Sequence, residues 1–168
     1  MTLQRKTPIA RKRAAPRRRP AARCAWSNRC KRRPSIVIDE NERLCTVHSK
    51  IVADKVVGDW VKHVRDERCL YCGTDQDLEW AHIRSRGAHP ALHWHVGPTV
   101  DEPGNTTTLC RGHHFMFTKA PARWEVFVEQ TWPGLYGQLI SAELTHMELG
   151  TRVDIAEVIR TYRSKAAA

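Results

Sequence analysis

Six cysteines and two histidines fall at spacings suited to tetrahedral metal binding. Cys24-x5-Cys30 is followed by Cys45-x2-His48, and Cys69-x2-Cys72 by Cys110-x2-His113. Each set supplies three thiolates and one imidazole, a common donor set for structural zinc. The x2 spacing lets two side chains on one tight turn grip an ion with little further chain ordering. Gly73 follows Cys72, where such a turn calls for positive φ. The x5 spacing of the first set is longer than zinc sites usually show, so Cys24 and Cys30 could instead be free thiols. His114, beside His113, is an alternative fourth ligand for the second set. A structural zinc contributes on the order of 10–16 kcal/mol of apparent binding free energy at neutral pH. A core this small would not supply that alone. One or two structural Zn2+ ions are therefore expected.

Three further residues lie within the second set or directly beside it: His82, Asn105 and His114. A histidine can accept a proton near neutral pH or ligate a cation. Alone, His82 could be an ordinary hydrogen-bonded histidine at a strand end. The zinc clamp around the three should gather them into one pocket.

The elements needed to position these groups can be read from periodicity and turn residues. Ser35–Ile38 reads as a strand, with a turn at Asp39-Glu40-Asn41. Residues 49–66 read as a helix, because Val52, Val56, Val57, Trp60, Val61 and Val64 recur at three and four. Leu78 onward reads as a short strand ending at His82, and Arg111 to Lys119 as a helix. A helix should follow Pro121 and stop near Pro133-Gly134. Another should run through Leu135, Leu139, Ile140 and Leu144, and Asp154 should cap a last one. The chain is thus α+β. It divides into an arm (1–23), a first zinc knot (24–48), a connecting helix (49–66), a core (67–119) and C-terminal helices (120–168).

The net charge of +10 is concentrated at one end. Residues 1–33 hold 13 Lys and Arg and no acidic residue, leaving 15 basic against 18 acidic residues elsewhere, a net of −3. Such a block repels itself and should be disordered when free. Its natural partner is a polyanion, bound through counterion release. Arg11, Lys12, Arg13, Arg17, Arg18 and Arg19 are the expected DNA contacts. A nuclear targeting signal or anionic membrane contact would also use this charge, but no aromatic precedes Trp26 to stack bases. No secretory signal or membrane-spanning stretch is visible, so a cytoplasmic protein with reduced cysteines is expected.

The order His82, Asn105, His114 between Cys69-x2-Cys72 and Cys110-x2-His113 resembles the HNH (ββα-metal) endonucleases. Ala81-His82-Ile83, the run Phe117–Trp124, Pro133–Tyr136 and the basic start Arg5-Lys6-Thr7-Pro8 look similar to the phage-type, zinc-stapled branch of NinG/Rap-like recombination nucleases. The resemblance covers most of residues 67–145. It implies a small zinc-stapled ββα-metal core, with flanking helices, a second N-terminal zinc knot and a disordered basic arm.

It also implies roles. His82 would be the general base, Asn105 would order the loop around it, and His114 would hold a catalytic Mg2+ or Mn2+. Arg111 and Lys119 are the expected phosphate contacts in the core. Many members carry a second metal ligand just before the base, where this chain has Ala81. Glu79, Asp101, His93 and His95 are the open alternatives. The implied activity is hydrolysis of duplex or branched DNA in recombination, packaging or homing, in a bacterial host cytoplasm if phage-encoded. A non-catalytic zinc-dependent DNA-binding module and a zinc-knotted protein-interaction module are the competing readings. Oligomeric state is left open.

Overall fold

A computed structural model describes residues 23–27 and 29–168. The arm residues Arg11, Lys12, Arg13, Arg17, Arg18 and Arg19 lie outside them. Among the described residues the protein is α+β, with two two-stranded antiparallel sheets and five α-helices. No helix there is long and apolar enough to cross a membrane.

The first sheet pairs β1 (Ile36–Val37) with β2 (Arg43–Leu44). Asp39 closes its turn by accepting hydrogen bonds from the backbone of Asn41 and Glu42. Helix α1 (Thr46–Trp60) follows at once and continues into a wider turn, Val61–Arg65, with π-helical spacing. It begins three residues earlier than the valine spacing suggests. Cys45 is its N-cap and His48 lies in its first turn, so metal-ligand geometry rather than apolar period sets that end.

The second sheet pairs β3 (Leu78–His82) with β4 (Thr106–Cys110), Glu79 opposite Leu109 and His82 opposite Thr106. Helix α2 (Arg111–Lys119) leaves β4 directly, followed by α3 (Pro121–Thr131) and α4 (Leu135–Glu148). Pro121 sits in the first turn of α3, where its missing N–H costs nothing. Helix α5 (Ile155–Ala167) is capped by Asp154, which accepts from the backbone of Ala156 and Glu157.

Both faces of the second sheet are covered. Ala81, Ile83 and Leu109 join Phe117, Trp124, Val128 and Leu139 in one apolar cluster. The opposite face meets α1. A Cβ on Gly58 would stand 3.1 Å from the Trp80 ring, so the glycine within α1 allows this close approach. Helix α5 does not stay with the other C-terminal helices. Ala156 and Ile159 pack beside Val52 and Ala53 of α1, while Arg163 pairs with Glu42 of the first knot. The C-terminal segment read as one unit, 120–168, is thus shared between two cores.

The wider turn after α1 carries Arg65 into the interior, where its side chain is 2% exposed and that of Asp66 3%. Arg65 donates to Asp66 (2.9 Å), the carbonyls of Pro103 (3.0 Å) and Thr106 (2.8 Å), and the Thr106 hydroxyl (3.2 Å). Arg65→Ala would leave Asp66 as a buried, unpaired charge. A loss of about 3–5 kcal/mol is expected. Urea unfolding checks this; an unchanged midpoint would show that the network does not stabilise the fold.

Candidate metal centres and the histidine cleft

The two Cys/His sets each converge. Cys24, Cys30, Cys45 and His48 place their ligand atoms within 4.8 Å of one another, and so do Cys69, Cys72, Cys110 and His113. In the first set Cys30 Sγ lies 3.9 Å from Cys45 Sγ, and His48 Nδ1 is 3.3 Å from both Cys24 and Cys45. In the second, His113 Nδ1 lies 3.1 Å from Cys110 Sγ and 3.6 Å from Cys69 Sγ. Tetrahedral bonds of about 2.3 Å to sulfur and 2.0 Å to nitrogen imply edges of about 3.5–3.8 Å. The separations fit one zinc per set. His113, not His114, completes the second set. All six cysteines are free of disulfides.

The sites share one design. In each, a strand leads straight into a cysteine that is the N-cap of a helix, and the histidine follows in the first turn. Helix N-termini carry partial positive charge and unpaired N–H groups, which favour thiolate. Burial opposes ionisation of Cys69, but backbone groups of Cys110, Cys72 and Tyr71, with His113, outweigh it and bring the thiol down to about 6. An aromatic ring backs each ligand histidine, Trp26 against His48 and Tyr71 against His113. Gly73, at φ +74°, closes the second knuckle through its N–H to the Cys69 carbonyl.

His82 ends β3 with its ring against Trp80 and His93. Its Nε2 lies 3.1 Å from the His93 carbonyl. A carbonyl only accepts, so Nε2 carries the proton and Nδ1 keeps the lone pair. Burial brings the imidazole down to about 4, aided by His93 and Arg86 and opposed by the carbonyl bond and by Asp54. Asn105 is fully buried and clasps the loop after β3. Its Oδ1 accepts from Arg84 N (2.7 Å), and its Nδ2 donates to the carbonyls of Arg84 and Leu92 (both 3.1 Å).

His114 Nδ1 lies 2.7 Å from Glu79 Oε2, joining α2 to β3. The bond from His114 and the Arg111 guanidinium, 3.1 Å from Oε1, hold the Glu79 carboxyl below its usual range. Ala81 is buried within the apolar cluster. Strand alternation turns Glu79 and His82 to opposite faces of β3, yet His82 and His114 both line one cleft of about 720 Å³. Asp101 and His95 line a second cavity, which shares no lining residue with the first. Among the open alternatives, only Glu79 stands beside His114. Lys119 lies over the Phe115 ring rather than in the cleft.

The cleft also holds a chain of polar groups that sequence reasoning missed. Arg84 Nη2 donates to His89 Nε2 (3.1 Å), and His89 Nδ1 donates to Glu143 (2.9 Å). Glu143 comes from α4, 54 residues away, so no local pattern announces the link. The short Arg84–His89 spacing was the only signal available. Arg84 Nη1 makes no hydrogen bond among the described residues, leaving a fixed guanidinium edge at the cleft.

The molecule is therefore an α+β protein with two Cys3His groups that could each hold a metal ion, and a histidine-lined cleft over the second sheet. No family model, curated protein or solved structure matches the chain.

Proposed function

We propose that the protein is a metal-dependent DNA endonuclease of the HNH type, with zinc confined to the two Cys3His sites. The observation that carries this is the placement of His82: its Nε2 is committed to a carbonyl, and it lines the same cleft as His114, the partner of Glu79. Nδ1 is then free to take a proton from a water molecule. The resulting hydroxide attacks phosphorus, a P–O ester bond breaks, and the departing oxygen takes its electron pair. Asn105 keeps the loop around His82 in place by three hydrogen bonds. Arg84 offers its open edge to the phosphate. A carboxylate and an imidazole are suitable donors for Mg2+ or Mn2+, and Glu79 and His114 would hold such an ion. When bound, it supplies Lewis acidity to the phosphate. The basic N-terminal residues supply sequence-blind affinity for DNA.

Zinc-loaded protein should nick supercoiled plasmid when Mg2+ or Mn2+ is added, and not in buffer free of added cations. Omission is the proper control, because a chelator would also strip zinc. Glu79→Ala and His114→Ala should each raise the cation concentration needed for half-maximal rate by roughly 10–100-fold. Plasmid that is bound but uncut in either metal would reject the enzyme. It would favour the zinc-dependent DNA-binding module, a reading that buried Ala81, unable to ligate, already motivates.

A further inference from the structure

The base lies in the core around the second zinc site, but the chain that orients it begins elsewhere. Asp54 sits in α1, whose N-cap is Cys45 and whose first turn carries His48 of the other site. Its Oδ1 accepts from Trp94 Nε1 at 2.9 Å. The same oxygen lies 2.9 Å from His93 Nε2, close enough for an ion pair though without the alignment of a hydrogen bond. Arg86 approaches the other oxygen at 3.7 Å. The His93 and Trp94 rings stack 4.4 Å apart with 10° between their planes, so one carboxylate holds both. The His93 carbonyl, in turn, receives the His82 Nε2 proton. Burial opposes ionisation of Asp54, but His93, Trp94 and Arg86 keep its carboxyl below the usual range.

We propose that Asp54 is a positioning residue for His82, fixing the base's tautomer through His93 and Trp94 from a helix rooted in the first Cys3His site. The inference rests on the reading of His82 as a base, but it makes a structural claim of its own. If the carboxylate sets the carbonyl, its loss should free the His82 ring to exchange tautomers. A packing role alone would not alter the protonation pattern of a ring that Asp54 does not touch. Asp54 is absent from the pocket lining and shares no hydrogen bond with His82, so beyond the direct pull of its charge it acts through the residues it holds.

The test uses the full, zinc-loaded chain with 15N-labelled histidine. The wild-type His82 ring should show a single Nε2–H tautomer. Asp54→Leu should show mixed tautomers, and Trp94→Phe, which removes one donor and keeps the stack, a smaller change in the same direction. Asp54→Asn, which can still accept from Trp94, should restore most of the wild-type pattern. On plasmid, Asp54→Leu should lower kcat by up to about 100-fold with KM little changed. Zinc content and circular dichroism identify a variant that fails to fold, in which case Trp94→Phe decides. A wild-type tautomer pattern in every folded variant would overturn the proposal. A wild-type protein that cuts no DNA would instead remove the nuclease reading, and the nitrogen spectra would still decide the role of Asp54.

Discussion

Removing zinc from the site of Cys69, Cys72, Cys110 and His113 should unfold the core around it. That site joins the loop before β3, the end of β4 and the start of α2. The sheet it closes has only two strands of five residues each. A lone two-stranded sheet is marginal in water, and Cys69 itself belongs to the apolar cluster with Phe117, Trp124 and Leu139. The apparent zinc contribution of about 10–16 kcal/mol compares with a net stability of about 5–15 kcal/mol for a typical domain. Its loss would erase most or all of the margin. Cys69→Ser should therefore bind one zinc fewer and lose the near-ultraviolet dichroism of the buried Trp124 and Trp132. The measurement is zinc content by mass spectrometry alongside dichroism, with zinc added back to the stripped wild type. Unchanged dichroism in protein free of zinc would show that the site is not what holds the fold.

The parts of this arrangement that were legible from residues are those fixed locally. Asp154 announced α5 because a capping carboxylate meets N–H groups only two and three residues on. The eight ligands could be paired from spacing, since cysteine and histidine on one turn meet the same ion. The short strand ending at His82 followed from the weak alternation of residues 78–83. Contacts between distant segments were not legible. Asp101 precedes Asn105 by only four residues, yet the Val96–Gly104 bridge turns that loop toward Trp132 and away from His114. The widening at Val61–Arg65 left no mark on the apolar period, which runs on through Val61 and Val64; the turn aims one buried guanidinium. Glu79 could be placed on the face of Ala81 by strand alternation, but only the packing of α2 shows that His114 lands beside it.

Replacing His82 with alanine should cost about 10²–10⁴-fold in cleavage rate, the range for a general base, while DNA affinity and zinc content stay near wild type. The side chain belongs to neither Cys3His set, and on the proposed reading the affinity for DNA would come from the N-terminal charge. The pH dependence supplies a sharper signature. A free histidine titrates near 6.5, whereas burial brings His82 to about 4. The folded protein thus keeps the imidazole neutral between those values, while the unfolded chain takes up a proton. The sign follows: the full stability is present above about pH 6.5 and falls as the pH drops toward 4, by roughly 3 kcal/mol in total. On the proposed reading, the base would stay available under mild acid. The acid limb of kcat/KM should lie below about pH 5, with zinc occupancy monitored at each point. A limb near 6.5 would mean an exposed histidine carries the proton. A His82→Ala protein cutting within a few-fold of wild type would remove His82 from the chemistry altogether.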